Sequence, residues 1–122
     1  MDILIIEDDK LILNLLQHGI KNAGHKAFTA ENAEQAISLV TSRNFDLIIT
    51  DIMMPGISGL SLISILRTVH LISTPIIIMS ALHNKPLLAA AFEAGANDFI
   101  AKPFMMEELE EKLRKYAAQG AW

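Results

Sequence analysis

A chain of 122 residues with 52% apolar side chains suits one domain around one core. The absence of cysteine excludes a disulfide framework and a thiolate metal site. A net charge of −4 offers no basic face to nucleic acid, and no apolar run approaches the ~20 residues that a membrane helix needs.

Met1-Asp2 carries no basic segment, so no signal peptide is expected. With the missing cysteines, this favours a cytoplasmic location. Ile3–Ile6 has the composition of a buried strand and ends in three acids, Glu7-Asp8-Asp9. A helix follows, with Ile12, Leu15, Leu16, Gly19, Ile20 and Ala23 as its core-facing stripe and Gly24 as its end. Leu11 and Leu13 exceed that stripe. Lys26–Thr29 is a short second strand. Asn32 has the character of an N-cap, with Gln35 at capping-box spacing, and Ala33, Ala36, Ile37 and Val40 form the apolar face behind it.

The third strand, Leu47-Ile48-Ile49-Thr50, stops at Asp51 and then breaks at Pro55, Gly56 and Gly59. Leu62, Ile63, Leu66 and Val69 mark a third helix capped by Ser58. Pro75 precedes a fourth strand, Ile76–Met79, which ends at Ser80. Pro86 fits the first turn of a fourth helix, which ends at Gly95. Asp98–Ala101 is the fifth strand, followed by Lys102-Pro103 and a last helix from about Met105 to Ala117. In that helix Glu108–Lys112, Glu110–Arg114 and Glu111–Lys115 stand in the favourable i, i+4 order.

Strand and helix thus alternate five times. Short connections between them imply an α/β fold, a five-stranded parallel sheet doubly wound by five helices. The expected strand order is the flavodoxin-like 2-1-3-4-5. In that order the ends of strands one, three, four and five meet at one edge. They bring Glu7, Asp8 and Asp51 together with Ser80 and Lys102. Close carboxylates raise one another's pKa, and a cation relieves the repulsion. Oxygen ligands alone suit Mg²⁺. A simpler account is that the three acids only cap the first helix, whose N-terminus favours negative charge. It does not explain why the other strand ends are also polar.

The motifs IIEDD, DLIITDIMMPGISG, PIIIMSA and EAGANDFIAKPF, in this order and spacing, resemble the receiver domain of two-component response regulators. The resemblance runs from Asp2 to about Ala118, making residues 1–118 the receiver domain and 119–122 a tail or the start of a linker. It implies that Asp51 accepts a phosphoryl group and that Lys102 and Ser80 contact that group. It implies that Asp8 and Asp51 bind Mg²⁺, that Glu7 does so partly through water, and that the Met53 carbonyl completes the shell. The Lys102–Pro103 bond matches the family's cis peptide. The donor implied is a sensor histidine kinase or a histidine phosphotransfer protein. The output is a downstream protein or a second copy, meeting the face of the fourth helix, fifth strand and fifth helix. No membrane contact and no direct nucleic-acid binding by this domain are implied, and its only catalysis is its own phosphorylation and dephosphorylation.

Three positions depart from the commonest family pattern. Glu7 stands for aspartate, Ser80 for threonine, and Phe99 for the tyrosine often found at the switch position. Rotation of a ring needs volume more than a hydroxyl, so the switch through Ser80 and Phe99 is expected to survive. Met53 and Leu82 border the path of the hydrolytic water, and neither has a polar side chain to orient it. Slow self-dephosphorylation follows. Leu87 to Phe92 make the fourth helix apolar all round, which leaves some of these side chains exposed unless a partner covers them. His18, His25, His70 and His83 show no metal-ligand spacing and are read as surface or loop residues. Two other functions are compatible with such a fold. One is an interaction module on the same fold that ignores phosphorylation; the intact Asp8, Asp51, Ser80 and Lys102 oppose it. The other is a flavin-type binding domain, which needs a hydroxyl- and glycine-rich loop where Glu7-Asp8-Asp9 stands.

Overall fold

A computed structural model describes residues 1–54, 56–81 and 84–119. Pro55, Leu82, His83 and the tail at 120–122 lie outside the described residues. The elements are β1 (Asp2–Ile6), α1 (Lys10–Asn22), β2 (Lys26–Ala30), α2 (Ala33–Ser42), β3 (Leu47–Asp51), α3 (Gly59–Thr68), β4 (Ile76–Ser80), α4 (Lys85–Ala94), β5 (Asp98–Ala101) and α5 (Met106–Gln119). The five strands are parallel and lie in the order β2-β1-β3-β4-β5, as expected.

Alternate strand residues feed two cores. Leu4, Ile6, Ile48, Ile76 and Ile78 face α2, α3 and α4, where Val40, Leu62, Leu66 and Ala91 meet them. Ile3, Ile5, Leu47, Ile49, Ile77, Met79 and Ile100 face α1 and α5, with Leu16, Ile20, Leu109 and Leu113. Every residue of β3 and β4 is buried. Each fully buried Ile or Leu contributes about 1.5–3 kcal/mol, and so large an apolar set fixes the register. Register then places the polar strand ends.

Asn32 Oδ1 accepts from Gln35 N–H, and Ser58 Oγ from Ser61 N–H, so both predicted caps form. The Gln35 side chain returns to Glu31 N–H, one residue earlier than a standard capping box. Pro86 sits in the first turn of α4, and Gly95 ends that helix at φ 121°, a left-handed conformation suited to glycine.

The structure corrects several expectations. Leu13 is in the core while Leu15 is 49% exposed, and Ala23 is exposed too. Lys-Leu-Ile-Leu-Asn-Leu-Leu offers two helical stripes, and the docking of α1 against α5 selects the one through Leu13, Leu16 and Ile20. Val69 lies past the last turn of α3 and is exposed. Met105 precedes α5 and is exposed, whereas Met106 packs on the core. Lys112 and Lys115 do not pair along α5. Both reach Asp98, at 2.7 and 3.0 Å, because its carboxylate lies within the fold and offers two fixed oxygens.

Candidate functional site

β1, β3 and β4 end at the same edge of the sheet, and the loop after β5 joins them there. Burial of Ile3–Ile6 carries Glu7 into the interior, where it is wholly buried. Asp8, next in sequence, is exposed, so the two acids approach the site from different depths. Asp9 turns aside and caps α1, accepting from Leu11 and Ile12 N–H at 2.9 and 3.3 Å. Capping therefore accounts for Asp9 alone. Glu7, Asp8 and Asp51 each bring a carboxylate oxygen within 4.8 Å of the others.

Asp51 closes β3 and is 4% exposed. Its Oδ1 accepts from Met53 N–H at 3.2 Å, and its register partner on β4 is Met79. Met53 itself is 57% exposed, at the rim. Behind Asp51 the chain folds back tightly. A Cβ on Gly59 would stand 2.5 Å from the Asp51 carbonyl oxygen and 2.6 Å from Ile52 Cα, so only glycine lets α3 start this close. Gly59 N–H also donates to Ile52 O at 3.1 Å.

Ser80, buried, ends β4 beside Ala101 of β5. Lys102 N–H donates to Ser80 O at 3.0 Å, which ties the lysine's backbone to the serine's. The Lys102–Pro103 bond is cis, as the resemblance implied. Lys102 Nζ lies 2.8 Å from Glu7 Oε1 and 3.1 Å from Asp51 Oδ2. The structure thus gathers Glu7, Asp8, Asp51, Ser80 and Lys102 at one edge. Phe99 is half-buried and packs against the core under α2, α3 and α4.

The electrostatics reflect crowding. Burial pushes the Glu7 carboxyl up to about 7, and its contact with Asp51 adds to the rise, against the pull of Lys102. Burial alone would lower the Lys102 ammonium; the Glu7 and Asp51 carboxylates outweigh that and raise it. The pairing of Lys102 with Glu7 goes beyond what the sequence motifs imply. The signal was the glutamate itself, whose extra methylene gives it more reach than the commoner aspartate. One oxygen, Glu7 Oε2, is buried without a hydrogen-bond partner. A buried carboxylate oxygen left so is costly. With three carboxylates and no soft donor in the group, the residues fit a hard cation.

Beside the acids, Ile12, Leu15, Lys102, Pro103, Phe104 and Met106 line an apolar groove of about 310 Å³. Leu11, 70% exposed, extends the apolar surface of α1. On α4, Ala89, Ala90 and Phe92 are exposed, Leu87 and Leu88 half-buried, and Ala91 buried, so the helix does leave apolar side chains uncovered. No helix among the described residues is long and apolar enough to cross a membrane.

Residues 3–114 match the family described as the response regulator receiver domain. The transcriptional regulatory protein CrdR of Helicobacter pylori is 32% identical over 93% of this chain and 54% of its own length. The two-component response regulator PhoP of Pseudomonas aeruginosa is 37% identical over 93% of this chain and 50% of its own. The chain therefore spans about half the length of these curated relatives. Among solved structures, the Francisella response regulator 1452 receiver domain superposes with a TM-score of 0.90 at 31% identity, covering 98% of both chains. A two-component response regulator from Clostridium difficile gives 0.94 at 26% identity, covering 100% of this chain and 99% of its own.

Proposed function

This chain belongs to the response regulator receiver family, and on that footing we propose that it is a phosphorylation-dependent switch accepting a phosphoryl group on Asp51. The observation that carries the reading is the convergence of Asp51 with Glu7, Asp8 and Lys102 in one largely buried cluster.

The donor is a phosphohistidine on a sensor histidine kinase or a histidine phosphotransfer protein. An Asp51 carboxylate oxygen attacks phosphorus, the phosphorus–nitrogen bond breaks, and an acyl phosphate forms on the aspartate. Phosphoryl transfer passes through a loose transition state with charge spread over the equatorial oxygens, so catalysis is mostly positioning and neutralisation. Lys102 neutralises that charge, and the Ser80 hydroxyl donates a hydrogen bond to a phosphoryl oxygen. Glu7, Asp8 and Asp51, with the Met53 carbonyl, would hold Mg²⁺, which would supply further positive charge to the phosphoryl oxygens. Water later attacks phosphorus and restores the carboxylate. Neither Met53 nor Leu82 has a polar side chain with which to orient that water, so the phosphorylated state is long-lived.

The readout runs through Ser80 and Phe99. As Ser80 moves toward the phosphoryl group, the Phe99 ring turns inward, and the face of α4, β5 and α5 changes for a downstream protein or a second copy. The ring's half-buried setting against the core under α2, α3 and α4 and the exposed Ala89, Ala90 and Phe92 support this. The apolar groove beside Lys102 suits the docking of the donor. The location is cytoplasmic, where such kinases present their phosphohistidine.

Exposure to acetyl phosphate with Mg²⁺, scored by intact mass, tests the reading. The wild type gains one phosphoryl group and Asp51→Asn gains none. Equal behaviour of the two, with either no gain or the same gain, overturns it. A phosphoryl analogue that leaves the Phe99 ring unmoved overturns the switch.

A further inference from the structure

Of the six methionines, Met53 and Met105 are exposed, at 57% and 66%, and both stand on loops at the phosphoacceptor edge. Met53 follows β3, and Met105 follows Lys102-Pro103-Phe104. Met54 and Met79 are buried, and Met1 and Met106 are half-buried. The chain has no cysteine, so these thioethers are its only sulfur. A peroxide converts a thioether to a sulfoxide, and an open sulfur reacts before a buried one. The readily oxidised sulfur is therefore gathered beside Asp51. Met53 is also tied to that residue: its N–H donates to Asp51 Oδ1 at 3.2 Å, so its side chain starts one hydrogen bond away from the carboxylate.

We propose that Met53 is a redox-modification site, and that its oxidation by hydrogen peroxide shortens the life of the phosphorylated state. This rests on the reading of Asp51 as phosphoacceptor and of Met53 as a border of the path taken by the hydrolytic water. The chemistry balances with peroxide alone. The Met53 sulfur attacks one peroxide oxygen, a sulfur–oxygen bond forms and the oxygen–oxygen bond breaks. Sulfur gives up an electron pair, and the second oxygen takes the remaining proton and leaves as water. The thioether offers water no useful partner, whereas the sulfoxide oxygen is a strong acceptor in the same place. It accepts a hydrogen bond from the attacking water and holds it near phosphorus. Sulfoxide reductases reverse the change, so the modification can be reset. Met105, on the other loop, is the internal comparison.

Peroxide treatment of the full chain, followed by peptide mass mapping, tests the site. Met53 and Met105 take up oxygen well before Met1 and Met106. The treated and untreated proteins are then phosphorylated with acetyl phosphate and Mg²⁺, freed of donor, and followed by loss of the added mass. Oxidation shortens the phosphorylated lifetime by at least about threefold, the worth of one modest hydrogen bond to the attacking water. Met105→Leu keeps this shortening, Met53→Leu loses it, and methionine sulfoxide reductase restores the longer lifetime in wild type. Met53 reacting no faster than the half-buried methionines overturns the proposal. So does an unchanged or longer lifetime, a treated protein that no longer takes up the phosphoryl group, or a shortening that survives Met53→Leu or the reductase. Failure of the untreated protein to gain a phosphoryl group overturns the phosphoacceptor reading, and this proposal falls with it.

Discussion

Glu7→Gln isolates the cost of keeping a buried carboxylate charged. In the folded protein Glu7 holds its proton up to about pH 7, against 4.5 for a free side chain. Burial is the first cause, and the adjacent Asp51 adds to it. The folded state therefore binds this proton more tightly than the unfolded state does. The stability it contributes is complete below pH 4.5 and is lost as pH rises through 7. The gap corresponds to about 3 kcal/mol. Glutamine cannot ionise, so the variant escapes that loss. Urea unfolding followed by circular dichroism, in chelator and at steps from pH 4 to pH 8, should show the difference between variant and wild type moving in the variant's favour. The expected total is about 3 kcal/mol. Saturating Mg²⁺ should stabilise the wild type more at pH 8 than at pH 5, since only the ionised acid binds it. A difference between the two proteins that stays flat, within about 0.5 kcal/mol across the range, would refute the reasoning.

Asp98 takes ammonium groups from Lys112 and Lys115 and the Tyr116 hydroxyl. Despite burial, which raises it, these bonds and the Phe99 N–H lower its pKa to about 2. Its stabilisation is thus present above about pH 4 and lost as pH falls through 2; Asp98→Asn should cost about 2 kcal/mol at pH 7, shrinking between pH 4 and pH 2 in acid-unfolding curves. Arg67 donates to the carbonyls of Ile72, Thr74 and Gly95 and to Asn97 Oδ1, all between 2.7 and 3.1 Å. Arg67→Met leaves those acceptors unpaired and should destabilise by about 2–4 kcal/mol in denaturant unfolding, with faster amide exchange at Gly95 and Ala96. Gly59→Ala drives a methyl into the Asp51 backbone and should cost about 2–4 kcal/mol while slowing phosphorylation by acetyl phosphate; a neutral result would mean that α3 can move away freely. Met53→Asn combined with Leu82→Glu should shorten the phosphorylated lifetime, measured by the decay of the added mass, and no change would count against water positioning by these residues.

The fold was legible because periodicity and punctuation agreed. The first four residues of β3 and of β4 are apolar or β-branched in sequence, and both strands are fully buried in the sheet. Asn32, Ser58, Pro86 and Gly95 mark helix ends by chemistry that acts locally. The gathering of Glu7, Asp8, Asp51, Ser80 and Lys102 followed from strand order alone. What escaped was tertiary. The choice of Leu13 over Leu15 depends on how α1 docks, which no local pattern encodes. Lys112 and Lys115 had plausible partners one turn away, and that masked Asp98. The grip of Arg67 falls mostly on backbone carbonyls, which have no signature in sequence.

The position of Lys102 depends on an edge strand of only four residues, β5. Such a strand makes ladder bonds on one side only, so the sheet alone holds it weakly. Two further ties compensate. At its start Asp98 is clamped to α5 through Lys112, Lys115 and Tyr116. Just past its end Lys102 N–H is bonded to Ser80 O. The same strand carries Phe99 between them, and Phe99 N–H donates to Asp98 Oδ1. The lysine that neutralises the acids and the ring proposed to read their state thus sit on one short strap, anchored at both ends. Loosening the Asp98 clamp should therefore disturb the Lys102–Glu7 contact at the far end of β5, although no atom of Asp98 enters the site.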